Sequence, residues 1–255
     1  MATTGIDGKV ALVTGAGGGM GRATARLFAQ EGARVVVSDL NEDGGAETVD
    51  LIEQDGGKAT FVAADVSDEG HVERLAAACV ASYGSLDLAV NNAAIVPDFV
   101  DIVDEEAAVF ERLLRVNLLA VFLCVKHEAR TMLATGGGAI VNIGSTSSIR
   151  PLDTGAGYTA SKHGVVGLTK VASCQLAPRG IRVNAVCPGA TMTPMMEEAM
   201  ARRGVTEEQQ AERFSLLGRL ARPHEIAQAS LWLCSDQASF VTGHALAVDG
   251  GYLSR

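Results

Sequence analysis

A chain of 255 residues, 47% of them hydrophobic, with a mean hydropathy of +0.20, can bury a large core, which excludes an intrinsically disordered protein. Its formal net charge of −9 argues against a nucleic-acid partner, because phosphate backbones are held by clustered Lys and Arg. The five cysteines, Cys79, Cys124, Cys174, Cys187 and Cys234, are scattered, odd in number and free of Cys-x-x-Cys spacing, so neither a disulfide framework nor a zinc ribbon is indicated.

Apolar runs alternate with helical patterns from the start of the chain. Val10–Val13 reads as a short buried strand, followed by a glycine loop and a helix from about Met20 to Glu31. Val35–Val37 is a second strand, followed by a helical stretch over Glu42–Gln54. Thr60–Ala63 is a third strand, with a helix over Glu69–Ser82, and Leu86–Val90 is a fourth. A long helical stretch over Glu105–Leu133 leads to a fifth strand at Ala139–Ile143 and a helix over Gly157–Ala177. Arg182–Cys187 and Ala245–Val248 are the sixth and seventh strands. Continuous Val/Ile/Leu/Ala strands separated by helices indicate an α/β fold: a doubly wound, Rossmann-like parallel sheet of about seven strands with helices on both faces. No linker or repeat divides residues 1–255, so one domain is expected. Met1–Gly8 lacks the blocks of a signal peptide and no apolar run is long enough to cross a bilayer, so a cytoplasmic protein without membrane contact is expected.

Thr14-Gly15-Ala16-Gly17-Gly18-Gly19-Met20-Gly21 follows the first strand and opens the first helix. Glycines there permit a tight turn and let backbone N–H groups approach a pyrophosphate at a helix N-terminus. The spacing is wider than the commonest dinucleotide fingerprint, and no Gly-Lys-Ser/Thr of a Walker loop follows. Asp39 ends the second strand, where a carboxylate accepts hydrogen bonds from an adenosine ribose and repels a 2′-phosphate. With no basic residue beside Asp39 or in the loop before Arg22, the expected cofactor is NAD rather than NADP. Asp65-Val66 and Asn91-Asn92 also follow strands, where chemistry alone reads them equally well as turn and cap residues.

Tyr158 and Lys162 share one face of a helix, and a lysine ammonium beside a phenol favours the phenolate. Ser145 ends the fifth strand upstream, although a serine there is also an ordinary cap, as Ser147 and Ser148 equally are. No histidine has metal-ligand spacing with another histidine or a cysteine, and no catalytic metal is expected.

Thr14-Gly15-x-x-x-Gly19-x-Gly21, Asn91-Asn92-Ala93, Asn117, Ser145, Tyr158-x-x-x-Lys162 and Pro188-Gly189 closely resemble, in this order, the short-chain dehydrogenase/reductase family in its shorter single-domain branch. The resemblance spans residues 8–251. It implies that Tyr158 is the general acid/base, that Lys162 lowers its pKa and binds the nicotinamide ribose, that Ser145 orients the substrate oxygen, and that Asn117 holds a water between Lys162 and solvent. It assigns Gly15, Gly19, Met20 and Gly21 to the pyrophosphate, Asp39 to the adenosine ribose, Asp65 and Val66 to the adenine pocket, and Asn92 to the adjoining ribose. Pro188, Gly189, Thr191 and Thr193 would form the nicotinamide-binding turn. A homotetramer is also implied. The chain departs from the family pattern at Ala94, where Gly is common, at Thr191, where Val or Ile is frequent, and at Met20, in place of Ile.

Residues 190–217 leave the strand–helix alternation and carry Met192, Met195, Met196 and Met200, so a substrate lid is expected there. Methionines suit an irregular apolar ligand, and they equally suit packing of a helix on the core. With Ile95, Val96 and Leu152 as further candidate walls, the expected reaction is NAD-dependent hydride transfer with an apolar or alicyclic secondary alcohol or its ketone, of steroid or cyclic-alcohol type. The alternatives are a 3-oxoacyl-acyl-carrier-protein ketoreductase and a dinucleotide-binding protein without catalysis; the intact Ser145, Tyr158 and Lys162 weigh against the latter.

Overall fold

Side chains in β1 (Val10–Thr14) alternate between two faces, and both are covered: Val10 and Leu12 enter one apolar cluster, Ala11 and Val13 the other. The same alternation runs through β2 (Arg34–Asp39), where Val35 and Val37 face one way and Val36 the other. The computed structural model describes residues 4–96 and 99–254. The remaining strands are β3 (Lys58–Ala63), β4 (Leu88–Asn91), β5 (Gly138–Ile143), β6 (Ile181–Pro188) and β7 (Ala245–Val248). All pair in parallel as one sheet in the order β3-β2-β1-β4-β5-β6-β7.

One face of the sheet carries α1 (Gly19–Gln30), α2 (Glu42–Gln54) and α9 (Pro223–Cys234), buried through Phe28, Ile52, Ile226 and Leu231. The other face carries α3 (Glu69–Tyr83), α5 (Ala120–Thr135) and α6 (Ala156–Leu176), through Leu75, Val125, Met132 and Val165. No helix among the described residues is long and apolar enough to cross a membrane. Four cysteines are buried free thiols, and Cys174 is exposed on α6.

The helical stretch expected over Glu105–Leu133 is interrupted. α4 (Ala107–Leu114) passes into a π turn at Arg115–Leu119 before α5 resumes. Apolar periodicity continues on both sides of the turn, so the sequence pattern does not reveal it. Asn117 lies within this turn, fully buried. The segment expected to form a lid folds into α7 (Pro194–Arg203) and α8 (Glu207–Phe214). Met192, Met196 and Met200 pack there with Ala211 and Leu220, which is the packing role the sequence left open; Met195 remains exposed.

Arg182 on β6 locks α9 to the sheet. Its guanidinium donates to the carbonyls of Leu233, Cys234, Ser235 and Val241 at 2.6–3.3 Å, pairing the C-terminal carbonyls of α9 with a cation that the helix dipole favours. Arg182→Ala leaves those acceptors without their donor, and is expected to destabilise the fold by about 2–4 kcal/mol, read as a lowered urea midpoint at unchanged m-value.

Candidate active site

The sheet's winding reverses between β1 and β4: the chain runs outward through β2 and β3, then returns to continue from β4 on the other side. Loops at the carboxyl ends of β1 and β4 therefore part, leaving the crevice where such sheets take ligands. Asp39, Asn92, Ser145 and Pro188 lie at this edge of the sheet, Tyr158 and Lys162 lie on α6 beside it, and Asn117 lies in the π turn before α5.

α6 begins at Gly155, whose φ of +76° suits glycine and which has no side chain to cap the helix. Glu105 supplies the cap from a distance, accepting from the Gly157 N–H at 3.1 Å. Tyr158 and Lys162 follow one turn apart, with the ammonium 5.8 Å from the phenol ring centroid. Lys162 is 3% exposed and donates to the carbonyl of Ile143, the last residue of β5, at 2.9 Å. Burial lowers its pKa to about 8. Burial also raises the Tyr158 phenol above its ordinary value, opposed by hydrogen bonding from the Ser145 side chain and reinforced by the nearby Cys187 thiol. Desolvation is the largest cause, so the net direction is away from the phenolate.

Ser145 fills the cap role considered for it. Its Oγ accepts from the Ser147 N–H at 3.0 Å, while Ser148 Oγ accepts from the Ser145 N–H at 3.1 Å, closing a capping box over the turn at Thr146–Ser148. Ser147 and Ser148 are buried, whereas Ser145 is half-buried and bonds toward Tyr158. The Asn117 amide bonds both backbone groups of Ile95, accepting from its N–H at 2.8 Å and donating to its carbonyl at 3.0 Å. Asn117 thereby fixes the loop after β4 beside the crevice.

On the nucleotide side the glycines are needed for close approach. Gly15 has φ +63°, and a Cβ there would lie 2.7 Å from Ala93 Cα. A Cβ on Gly21 would lie 2.1 Å from the Gly15 carbonyl oxygen. Met20 packs partly against the core, and Gly19 approaches the Thr193 methyl, where a Cβ would stand 3.5 Å away. The glycine loop and the segment before α7 therefore meet across the crevice at Gly19 and Thr193. α1 starts with Gly18 as an uncapped N-cap and no acidic residue in its first turn, whereas Asn41, Asp68 and Thr193 side chains cap α2, α3 and α7. A Cβ on Gly18 would meet nothing within 4 Å. This open, uncapped helix start fits a diphosphate.

Asp39 accepts from the Gly17 N–H at 2.8 Å and the Asn41 N–H at 2.9 Å, so its carboxylate is fixed against the loop. Asp65 accepts from the Ser67 N–H in a turn, and its own N–H donates to His71 Nδ1. Val66 points into a small cluster with Val72 and Leu123. Asn92 donates to the carbonyls of Thr14 and Gly15 at 3.0 and 2.9 Å, tying the end of β4 to the glycine loop. Thr191 donates to the Gly189 carbonyl, and Thr193 Oγ1 caps α7 by accepting from the Met196 N–H.

Arg22 and Glu105 support the site without standing out in the sequence. Arg22 donates to the Gly17 and Gly44 carbonyls and to Thr48, bracing the loop from below. Its helical position signals only a surface cation. Glu105 caps a helix fifty-odd residues away in the chain, a pairing that no local pattern encodes.

A family model described as enoyl-(acyl carrier protein) reductase matches residues 15–253. The short chain dehydrogenase/reductase astE of Aspergillus oryzae is 44% identical over 248 residues, covering 96% of this chain and 95% of that protein. A cyclohexanol dehydrogenase of Acinetobacter sp. strain SE19 is 41% identical over 250 residues, covering 98% and 97% of the two chains. The solved structure of a levodione reductase aligns with a TM-score of 0.91 at 35% identity, covering 96% of this chain and 98% of that one. This chain therefore belongs to the short-chain dehydrogenase/reductase family. It is an oxidoreductase of alcohol and carbonyl groups built for a nicotinamide cofactor.

Proposed function

We propose that the protein is an NAD-dependent dehydrogenase/reductase of apolar or alicyclic secondary alcohols and their ketones, with Tyr158 as general acid/base. The observation that carries this reading is the convergence of Ser145, Tyr158 and Lys162 at the carboxyl end of β5. In alcohol oxidation Ser145 orients the substrate hydroxyl, and Tyr158 takes its proton. Lys162 stabilises the phenolate through its charge while the Ile143 carbonyl holds it in place. Asn117 holds the Ile95 backbone in the loop after β4. Reduction runs the same proton transfer in reverse. The bound dinucleotide supplies the hydride acceptor for oxidation and the donor for reduction.

Gly15, Gly19, Met20 and Gly21 would hold the diphosphate at the start of α1, and Asp39 the adenosine ribose. Asp65 and Val66 would border the adenine, with Asn92 near the second ribose. Pro188, Gly189, Thr191 and Thr193 would border the nicotinamide, with Tyr158 and Lys162 against its ribose. NAD is supported by the fixed Asp39 carboxylate and by Arg22, whose Nε and Nη2 are committed to Thr48, Gly17, Gly44 and Glu47 rather than to a 2′-phosphate. Residues 190–217 would act as a lid over a single catalytic domain. Exposed Met195, Leu216 and Leu217 there, and exposed Val96 after β4, support an apolar substrate, as does the likeness to a cyclohexanol dehydrogenase. The open apolar groove of about 780 Å³ between α4, α5 and α6, lined by Leu114, Leu118, Phe122 and Leu168, supports assembly through these helices into a homotetramer.

Tyr158→Phe is expected to lower kcat with cyclohexanol-type alcohols by a factor of about 10³ or more while NAD+ still binds, as measured by quenching of protein fluorescence. Turnover equal to the wild type would contradict the mechanism. In the same titration the wild type is expected to bind NAD+ at least tenfold more tightly than NADP+, and the reverse preference would overturn the role given to Asp39.

A further inference from the structure

Glu128 is a carboxyl group that the proposed chemistry does not use, and it is 1% exposed on α5, against the sheet. It ends a chain of buried hydrogen bonds whose direction can be read from the far end. Thr169 on α6 gives its hydroxyl proton to the Val165 carbonyl at 2.8 Å, so its oxygen accepts from Asn142 Nδ2 at 3.0 Å. That orientation turns Asn142 Oδ1 toward Asn91, whose Nδ2 donates to it at 3.0 Å. The same Asn91 Nδ2 donates to Glu128 Oε2, also at 3.0 Å. Two buried atoms of this chain then have no partner: Asn91 Oδ1 and Glu128 Oε1. Both are acceptors when Glu128 is ionised, and they are the remaining oxygens of two groups already joined by one hydrogen bond. A single proton on Oε1 would satisfy both, closing the cyclic pair that a carboxylic acid forms with a carboxamide.

We propose that Glu128 is held as the neutral acid in the folded protein, donating its proton to Asn91 Oδ1, and that this buried acid–amide pair positions the strand ends on which the active site stands. Asn91 precedes Asn92, which grips the glycine loop through Thr14 and Gly15. Asn142 precedes Ile143, whose carbonyl anchors Lys162, and Thr169 lies on the same helix as Tyr158 and Lys162. Glu128 thus ties β4, β5 and α6 together from below and touches neither substrate nor cofactor: it is a positioning residue.

The titratable groups that face it are thiols. Cys124 lies one turn earlier on α5, Cys79 on α3 and Cys234 on α9, and burial raises all three above their ordinary value, so they are neutral. The adjacent Lys126 and His127 pair with Glu69 on α3 instead. Among the described residues no neighbouring cation compensates an ionised Glu128, and burial raises its pKa to about 7. A carboxyl group raised in the folded state binds its proton more tightly there than in the unfolded chain. Its contribution to stability is complete below the unfolded value of 4.5 and is lost as pH rises through about 7.

Glu128→Gln is the decisive variant, because a Gln amide presents the same donor and acceptor to Asn91 at every pH. Urea unfolding of the two full-length proteins from pH 5 to 8 is expected to show the wild type losing stability relative to E128Q. The folding constants should separate by roughly a hundredfold across that interval; a difference independent of pH would overturn the neutral acid. In the wild type alone, carbon-13 spectra of glutamate carboxyl groups are expected to show one resonance titrating near neutrality; if every glutamate titrates below about pH 5.5, the proposal fails even where E128Q does not fold. The positioning role is read from dinucleotide affinity, which is expected to weaken severalfold more in the wild type than in E128Q over the same interval. Parallel affinity profiles would remove that role. None of these readouts needs turnover, so their failure is distinct from failure of the Tyr158 mechanism.

Discussion

The hydrogen bond from Lys162 Nζ to the Ile143 carbonyl is the interaction on which the rest of the site depends. An ammonium that is 3% exposed is costly unless its donors are satisfied, and a main-chain carbonyl at the end of β5 takes one of its three. That bond sets the height of α6 against the sheet, and with it the position of Tyr158 one turn earlier. Burial acts on both members of the pair in opposite directions. It brings Lys162 down to about 8 and raises Tyr158, moving the lysine toward neutrality and the phenol away from ionisation. Desolvation therefore dominates the Tyr158 phenol, opposed by the Ser145 hydrogen bond.

Polar side chains at the carboxyl ends of the strands carry this arrangement across the crevice. Asn92 joins β4 to the glycine loop, Asp39 joins β2 to the same loop, and Asn117 secures the segment after β4. Each spends its hydrogen bonds on backbone, so the loops that border the crevice are held by the sheet. The glycine loop keeps its approach to Asn92 and Ala93 in the same way, since Gly15 and Gly21 leave room that any Cβ would fill. Beneath this edge the Glu128–Asn91–Asn142–Thr169 chain links the same strands and the same helix.

The parallel sheet was legible because each strand is a short apolar run with a helix after it, and buried runs such as Val35–Val37 admit few other readings. The Tyr158/Lys162 pair was legible because helical spacing places it on one face. The π turn at Arg115–Leu119 was not, since it leaves the apolar periodicity of α4 and α5 intact. Nor was the cap that Glu105 provides to α6, which depends on tertiary approach between segments distant in the chain. The methionines of residues 190–217 were legible only as alternatives. Met192, Met196 and Met200 pack α7 against α8, and Met195 alone among the four is exposed, a division decided by helix orientation rather than composition. Glu128 gave no signal, because one acidic residue in an amphipathic helix reads as solvated surface until the sheet beneath it is known.

Central to the proposed mechanism is that Lys162 assists the ionisation of Tyr158, and the pH dependence of kcat/KM for oxidation of a cyclic secondary alcohol tests it most directly when the wild type is compared with Lys162→Met. Oxidation needs the phenolate, so the rate rises with pH through the ionisation of Tyr158. Removing the ammonium should move that rise to higher pH by at least one unit, because the phenolate loses its charge partner while staying buried. A rise at the same pH in both proteins, with only its height reduced, would show that Lys162 merely binds cofactor and would contradict the account.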